Sequence, residues 1–216
     1  MQTKAQGVWK NTPSGSTSKI IYILVSIAVV TSSGSVYQMR FSPAYEIAVV
    51  TVIAIAAAVL MMQAVVQGKL SITKRDVLII LGYACCVAVL PLGWGGVGSF
   101  YLYICVAVMP FLWIFIYSLL RLGYLSVFIK VFVYTITAIA GISLLFWLLG
   151  PTLQIIRPNG GVVIAWGNSS HLVDSYYNIY FVTQGYDAWL GNLHLGVRNS
   201  AIYGEAPICC FMFIAA

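Results

Sequence analysis

Residues 44–66 read AYEIAVVTVIAIAAAVLMMQAVV. Apart from Glu46 near one end and Gln63 near the other, the stretch is almost wholly apolar. The hydrocarbon core of a bilayer offers a backbone no water, so a crossing chain closes its hydrogen bonds internally as a helix of about 20 apolar residues. Residues 44–66 meet both conditions. The segment therefore predicts a transmembrane helix, and with it an all-α integral membrane protein.

The rest of the chain agrees. Its 216 residues are 61% hydrophobic and 7% charged, with a mean hydropathy of +0.95. Soluble domains carry about 25% charged residues. That excludes a soluble nucleic-acid binder, a disordered tail and a disulfide scaffold. The net charge of +6 comes from basic residues scattered singly between apolar blocks, a pattern that encodes membrane orientation.

On either side of 44–66, further spans are expected at Ile20 to about Tyr37, Val77 to Leu92, Phe100 to Leu120 and Leu125 to Leu149. The first can be read as an uncleaved helix or as a signal peptide; both readings place the next loop outside. Residues 1–19 form a polar cytoplasmic arm, 20–149 a five-helix transmembrane region and 150–206 a large extracytoplasmic loop. Residues 207–216 read as the start of a sixth helix, cut short in this chain. Lys4, Lys10, Lys19, Lys69, Lys74, Arg75, Arg121 and Lys130 fall on one side, and Arg40, Arg157 and Arg198 on the other. The positive-inside rule makes the first side, and the N-terminus, cytoplasmic.

Few motifs carry chemistry. The five cysteines sit in apolar runs without C-x-x-C spacing and read as buried free thiols. Gly93 to Gly98 fits G-x-G-x-x-G, but no acid occurs between Asp76 and Asp174, so it reads as a tight turn rather than a dinucleotide site. No charge lies in the middle of a span, which disfavours an ion path. The external loop holds His171 and His194 and many aromatics, Trp166 and Trp189 among them; these form an interfacial belt or stack on sugar rings. Within it, Ile155 to Ile164 predicts a hairpin closed at Asn159-Gly160, and Ser170 to Gln184 predicts an interfacial helix.

The most specific stretch closes that loop: Arg198-Asn199-Ser200-Ala201-Ile202-Tyr203-Gly204-Glu205-Ala206-Pro207. It resembles the Arg-Asn-x-Gly-Ile-Phe-x-Glu-Pro motif of bacterial O-antigen and capsular polysaccharide repeat-unit polymerases, a family with related ligases. Arg198, Asn199, Ile202, Tyr203 and Glu205 match by position. Ala201 stands in place of the usual Gly, and Ala206 intervenes before Pro207. The resemblance implies a multi-pass glycosyltransferase of the bacterial cytoplasmic membrane. Its substrate is an undecaprenyl-pyrophosphate-linked oligosaccharide, and its partners are the bilayer and other membrane proteins of polysaccharide assembly.

On that resemblance Arg198 meets the charge that develops on the departing pyrophosphate, as a guanidinium is suited to do. Glu205, His171 or His194 serves as base toward the acceptor hydroxyl. Arg157, Asn199, Tyr203, Trp166 and Trp189 are expected to contact substrate. No D-x-D pair or acid cluster points to a metal, and no cofactor is expected. The rival readings are a non-enzymatic flippase or exporter of lipid-linked saccharides, and a membrane sensor or structural protein.

Overall fold

The computed structural model describes residues 16–32, 34–93, 103–166, 169–183, 189–191, 193–194 and 196–203. Helices dominate: α1 (Ser16–Thr31), α2 (Val36–Phe41), α3 (Ala44–Val66), α4 (Lys74–Gly93), α5 (Met109–Leu122) and α6 (Leu125–Trp147). A π-helical turn, Tyr103–Val108, leads into α5, and another, Leu148–Thr152, prolongs α6. Among the described residues, three helices are long and apolar enough to cross a membrane: Ala44–Val66, Ile104–Leu122 and Leu125–Thr152. They coincide with the second, fourth and fifth expected spans. The Gly-rich stretch 94–98 lies outside the described residues.

The first expected span ends early. Thr31 and Ser32 turn their hydroxyls back to the carbonyls of Ile27 and Val29, at 2.7 and 2.8 Å. Ser35 then accepts from the Gln38 N–H and caps the separate short helix α2. Serine and threonine compete with the helix for its own backbone groups, and here the competition ends it.

The chain divides into two compact units, Met1–Ile21 with Val49–Ile129, and Tyr22–Ala48 with Lys130–Ala216. In the first, α3 buries Ile53, Ala56, Ala57, Leu60 and Ala64. That 3-and-4 spacing forms one stripe, while Ile55, Met62 and Val66 stay exposed, as lipid-facing residues do. The described side chains of α4 beyond Asp76 are almost all exposed, Cys85 and Cys86 included; these thiols are free but lie on the helix surface rather than in a core. Helix α5 ends at Gly123, whose φ of +79° permits a left-handed cap donating to Leu119 and Leu120. Phe115 packs edge-on against Phe128 at 5.0 Å.

In the second unit the expected hairpin and interfacial helix are replaced by a sheet. Strands β1 (Gly160–Trp166), β2 (Ser169–Tyr176) and β3 (Tyr180–Val182) form an antiparallel sheet in that order, and β4 (Trp189–Leu190) pairs with β5 (Leu193–His194). Ser170 to Gln184 is thus not a helix: its described part is β2, a turn and β3. The turn is made by Tyr177 and Asn178, both at positive φ (56° and 55°).

Asn159-Gly160 is not a hairpin turn either. The Asn159 N–H donates to the Ser175 carbonyl at 3.0 Å, and its Oδ1 accepts from the Tyr177 N–H at 2.6 Å. Asn159 therefore caps the β1–β2 ladder, whose register runs from Gly160 opposite Ser175 to Trp166 opposite Ser169. One face of the sheet, Val162, Ile164, Val173 and Phe181, packs with Val36, Tyr37 and Met39 of α2. A second cluster joins Val30, Ile136, Ala201, Ile202 and Tyr203. Each large side chain fully buried there contributes about 1.5–3 kcal/mol.

Candidate functional site

Residues 196–203 bring the motif segment and helix α6 together. The Trp147 indole N–H donates to the Val197 carbonyl at 2.8 Å, and Ser143 Oγ donates to Asn199 Oδ1 at 2.7 Å. The same Oδ1 accepts from the Ala201 N–H at 3.1 Å. From the sheet side, the Phe181 N–H donates to Ala201, and the Val36 N–H to Ile202. Thr183 donates to Ser200, whose own hydroxyl donates to the Phe181 carbonyl. These contacts fix the segment from both sides.

The result is a selective exposure. Residues 196, 197 and 200–203 are buried and Asn199 is half-buried, whereas Arg198 is exposed. Its side chain has no hydrogen bond or ion pair among the described residues. An unoccupied guanidinium on a fixed backbone can bind a phosphate or carboxylate through two parallel donors.

Ala201 explains the local turn. Its φ is +53°, a left-handed conformation that costs an alanine roughly 1–2 kcal/mol and glycine nothing comparable. The position thus carries a glycine-type backbone with an alanine on it.

The other expected residues are distributed unevenly. Asn199 spends its carbonyl oxygen on Ser143 and Ala201, so that atom anchors the loop. Tyr203 is fully buried in the core cluster and presents no face to a ligand, contrary to the expected substrate contact. His171 is exposed on β2 opposite Ile164. The backbones of Trp166, Trp189 and His194 lie in strands, but their side chains, and all of Glu205, lie outside the described residues. No cluster of three or more His, Cys, Asp or Glu arranged to hold a metal occurs among the described residues.

Arg157 belongs to a separate feature, a pocket of about 360 Å³ on the sheet face opposite α2. Gln154, Arg157 and Asp174 supply its polar lining, and Tyr176, Pro151 and Val197 are among its apolar walls. The Tyr176 ring is fitted against Gly150 so closely that a Cβ there would stand 2.7 Å from its Cε1. Burial, and then the nearby Asp174 carboxylate, raise the Tyr176 hydroxyl above its usual pKa; it stays a neutral donor at physiological pH. The sequence did not mark Gln154 or Asp174, since no local spacing links them; the antiparallel register brings Asp174 opposite Val182, another wall of the pocket.

No protein-family model matches this chain. No curated protein and no solved structure matches it either.

Proposed function

We propose that this chain is a membrane glycosyltransferase of the polysaccharide-polymerase type, acting at the outer face of the bacterial cytoplasmic membrane. It joins oligosaccharide repeat units carried on undecaprenyl pyrophosphate. The acceptor hydroxyl bonds to the anomeric carbon of the donor glycan, and the bond from that carbon to the pyrophosphate oxygen breaks. The pyrophosphate leaves with the bonding pair, and the hydroxyl proton passes to a base, a role assigned to Glu205, His171 or His194. Arg198 neutralises the leaving group.

The observation that carries this reading is the exposure of Arg198 alone within a pinned, buried segment. A cation held fixed before the ligand arrives loses little to reorganisation, the condition for strong electrostatic stabilisation of developing charge. The left-handed backbone at Ala201, where the family motif has glycine, also supports it.

In the proposed topology α1 and α4 complete five spans and the N-terminus is cytoplasmic. Two sets of contacts support this arrangement. Arg121 at the end of α5 bonds the Ser71 carbonyl of the α3–α4 connection and Asp76 in the first turn of α4, as two loops on one membrane face would. Tyr37 and Arg40 both bond Asn178, placing the 32–43 segment beside the 150–203 region.

The test is Arg198→Ala and Arg198→Lys at matched membrane abundance. Removing a contact of this kind costs on the order of 10²–10³ in rate, so Arg198→Ala should abolish polymer while single repeat units still reach the surface. Arg198→Lys keeps the charge without the planar fork and should give only short chains. Units stranded inside the cell would favour an exporter, and normal chain length in Arg198→Ala would remove the catalytic role.

A further inference from the structure

The pocket that holds Arg157 has a composition that selects its occupant. Arg157 and Asp174 both line it, yet they do not close into an ion pair with each other. Both Arg157 and Asp174 are exposed, so each meets water when the pocket is empty. A ligand that fills the pocket must replace that water at a cation and at an anion together. An anion such as pyrophosphate satisfies Arg157 but is repelled by Asp174, and a cation meets the reverse difficulty. A hydroxyl accepts from a guanidinium and donates to a carboxylate, and a ring of hydroxyls reaches both at once. Gln154 adds a donor and an acceptor.

The remaining walls fit the same ligand. Part-exposed Ile156, with the edges of the buried Tyr176, Pro151 and Val197, supplies apolar lining, which suits the C–H groups of a pyranose. A volume of about 360 Å³ lies at the small end of the range for small-molecule sites, about 300–1,000 Å³. Period-2 alternation places Asp174 and Tyr176 on the sheet face opposite the one packed on α2, so the strand supplies the carboxylate, with the buried Tyr176 as the floor beside it. Val197 joins this pocket to the segment that carries Arg198.

We infer that this pocket is a binding site for an uncharged sugar residue of the glycan, held between Arg157 and Asp174. Arg157 then binds sugar hydroxyls rather than the pyrophosphate, and the two loop arginines divide the substrate between them. This assignment rests on the glycosyltransferase reading for the sugar's origin, but its chemistry does not depend on Arg198.

The experiment uses the full chain in lipid nanodiscs. Saturation-transfer NMR measures binding of methyl glucoside, methyl galactoside, methyl mannoside and N-acetylglucosamine, with inorganic pyrophosphate as competitor. At least one neutral sugar should bind and pyrophosphate should not displace it. Asp174→Asn and Gln154→Ala should each weaken binding, Asp174→Asn by about tenfold or more because a charge-assisted bond is lost. Gly150→Ala drives a Cβ into the Tyr176 ring and should weaken binding as well; since that change can also disturb folding, the two polar variants decide the matter. Displacement by pyrophosphate, or unchanged binding in both polar variants, overturns the assignment, as does the absence of binding by every sugar. Chain-length gels separate the two claims. Full-length polymer in Arg198→Ala with sugar binding intact defeats the polymerase reading and leaves the pocket standing. Loss of polymer in Arg198→Ala with normal chain length and sugar binding in Asp174→Asn and Gln154→Ala does the opposite.

Discussion

Arg121 and Arg198 make a useful pair, because each is tied to a membrane helix and the chain treats them in opposite ways. Arg121, in the last turn of α5, donates to the Ser71 carbonyl at 2.8 Å, to the Tyr117 hydroxyl at 2.9 Å and to Asp76 at 3.2 Å. Its guanidinium also lies 4.9 Å from the centre of the Tyr117 ring. Asp76 is in turn claimed by Thr73, whose N–H and hydroxyl both donate to it at 2.8 Å in a capping-box arrangement. Around Arg198 the bonds are as numerous, but they are made by its neighbours and leave the guanidinium out. A cation bonded to several protein groups fastens the loops at a helix end; one with no partner among the described residues is available to something that is not protein.

The largest effect should come from the support beneath Arg198. Tyr203→Ala empties a fully buried site in the cluster with Val30 and Ile136 and is expected to cost about 3–5 kcal/mol. Thermal unfolding in detergent should show a large fall, with Arg198-dependent polymer formation lost alongside. An unchanged melting temperature would mean that the 196–203 segment is not fixed by this core. The contrast itself is tested by Arg121→Ala. It should lower the melting temperature by on the order of a few degrees and leave polymer made per folded molecule unchanged, whereas Arg198→Ala should do the reverse. Two variants with the same profile would end the distinction.

Acid sharpens it further. Hydrogen bonds from the Thr73 backbone and hydroxyl, then from Tyr117, together with the Arg121 charge, hold the Asp76 carboxyl below the usual carboxylate pKa. A carboxyl lowered by folding adds stability above its unfolded pKa, about 3.9, and that stability is lost as pH falls through the lower folded value. Melting temperature should therefore drop between pH 5 and pH 3 by more in the parent chain than in Asp76→Asn. Equal drops would show that the Thr73–Asp76–Arg121 cluster holds nothing.

The smallest effect concerns Ala201. Ala201→Gly relieves the left-handed strain but gives up a buried methyl worth roughly 0.8 kcal/mol. The two nearly cancel, so stability should change by about 0.5 kcal/mol or less. Ala201→Val, which puts a branched side chain at φ near +53°, should be clearly destabilising. Tolerance of valine there would deny the turn its left-handed form.

The two regions also differ in how plainly they were written in the sequence. A membrane helix answers to composition and length alone, and α3 was legible to the residue at both ends. The sheet was not. Val173 and Ser175 face its packed side while Leu172 and Asp174 point away, so polar and apolar residues do not alternate in register with inside and outside. Leu172, Tyr176 and Tyr180 also fit a helical stripe, and no glycine marks the bend at Tyr177 and Asn178. Arg198 was singled out in the sequence because its neighbours there form a motif, while its exposure is visible only in the fold. The roles of Asn199 and Asp174 were not, since Ser143 and Val182 are assigned to them only by the fold.

Val197 and Asn199 flank Arg198, and both are fastened to α6, at Trp147 and Ser143. Those anchors are four positions apart and so share one side of the helix, about one 5.4 Å turn from each other. Arg198 is therefore carried by α6 through both of its neighbours, and should move with that helix. A thicker or thinner membrane changes the tilt of such a helix. The reach of this guanidinium is therefore expected to follow the thickness of the lipid around α6.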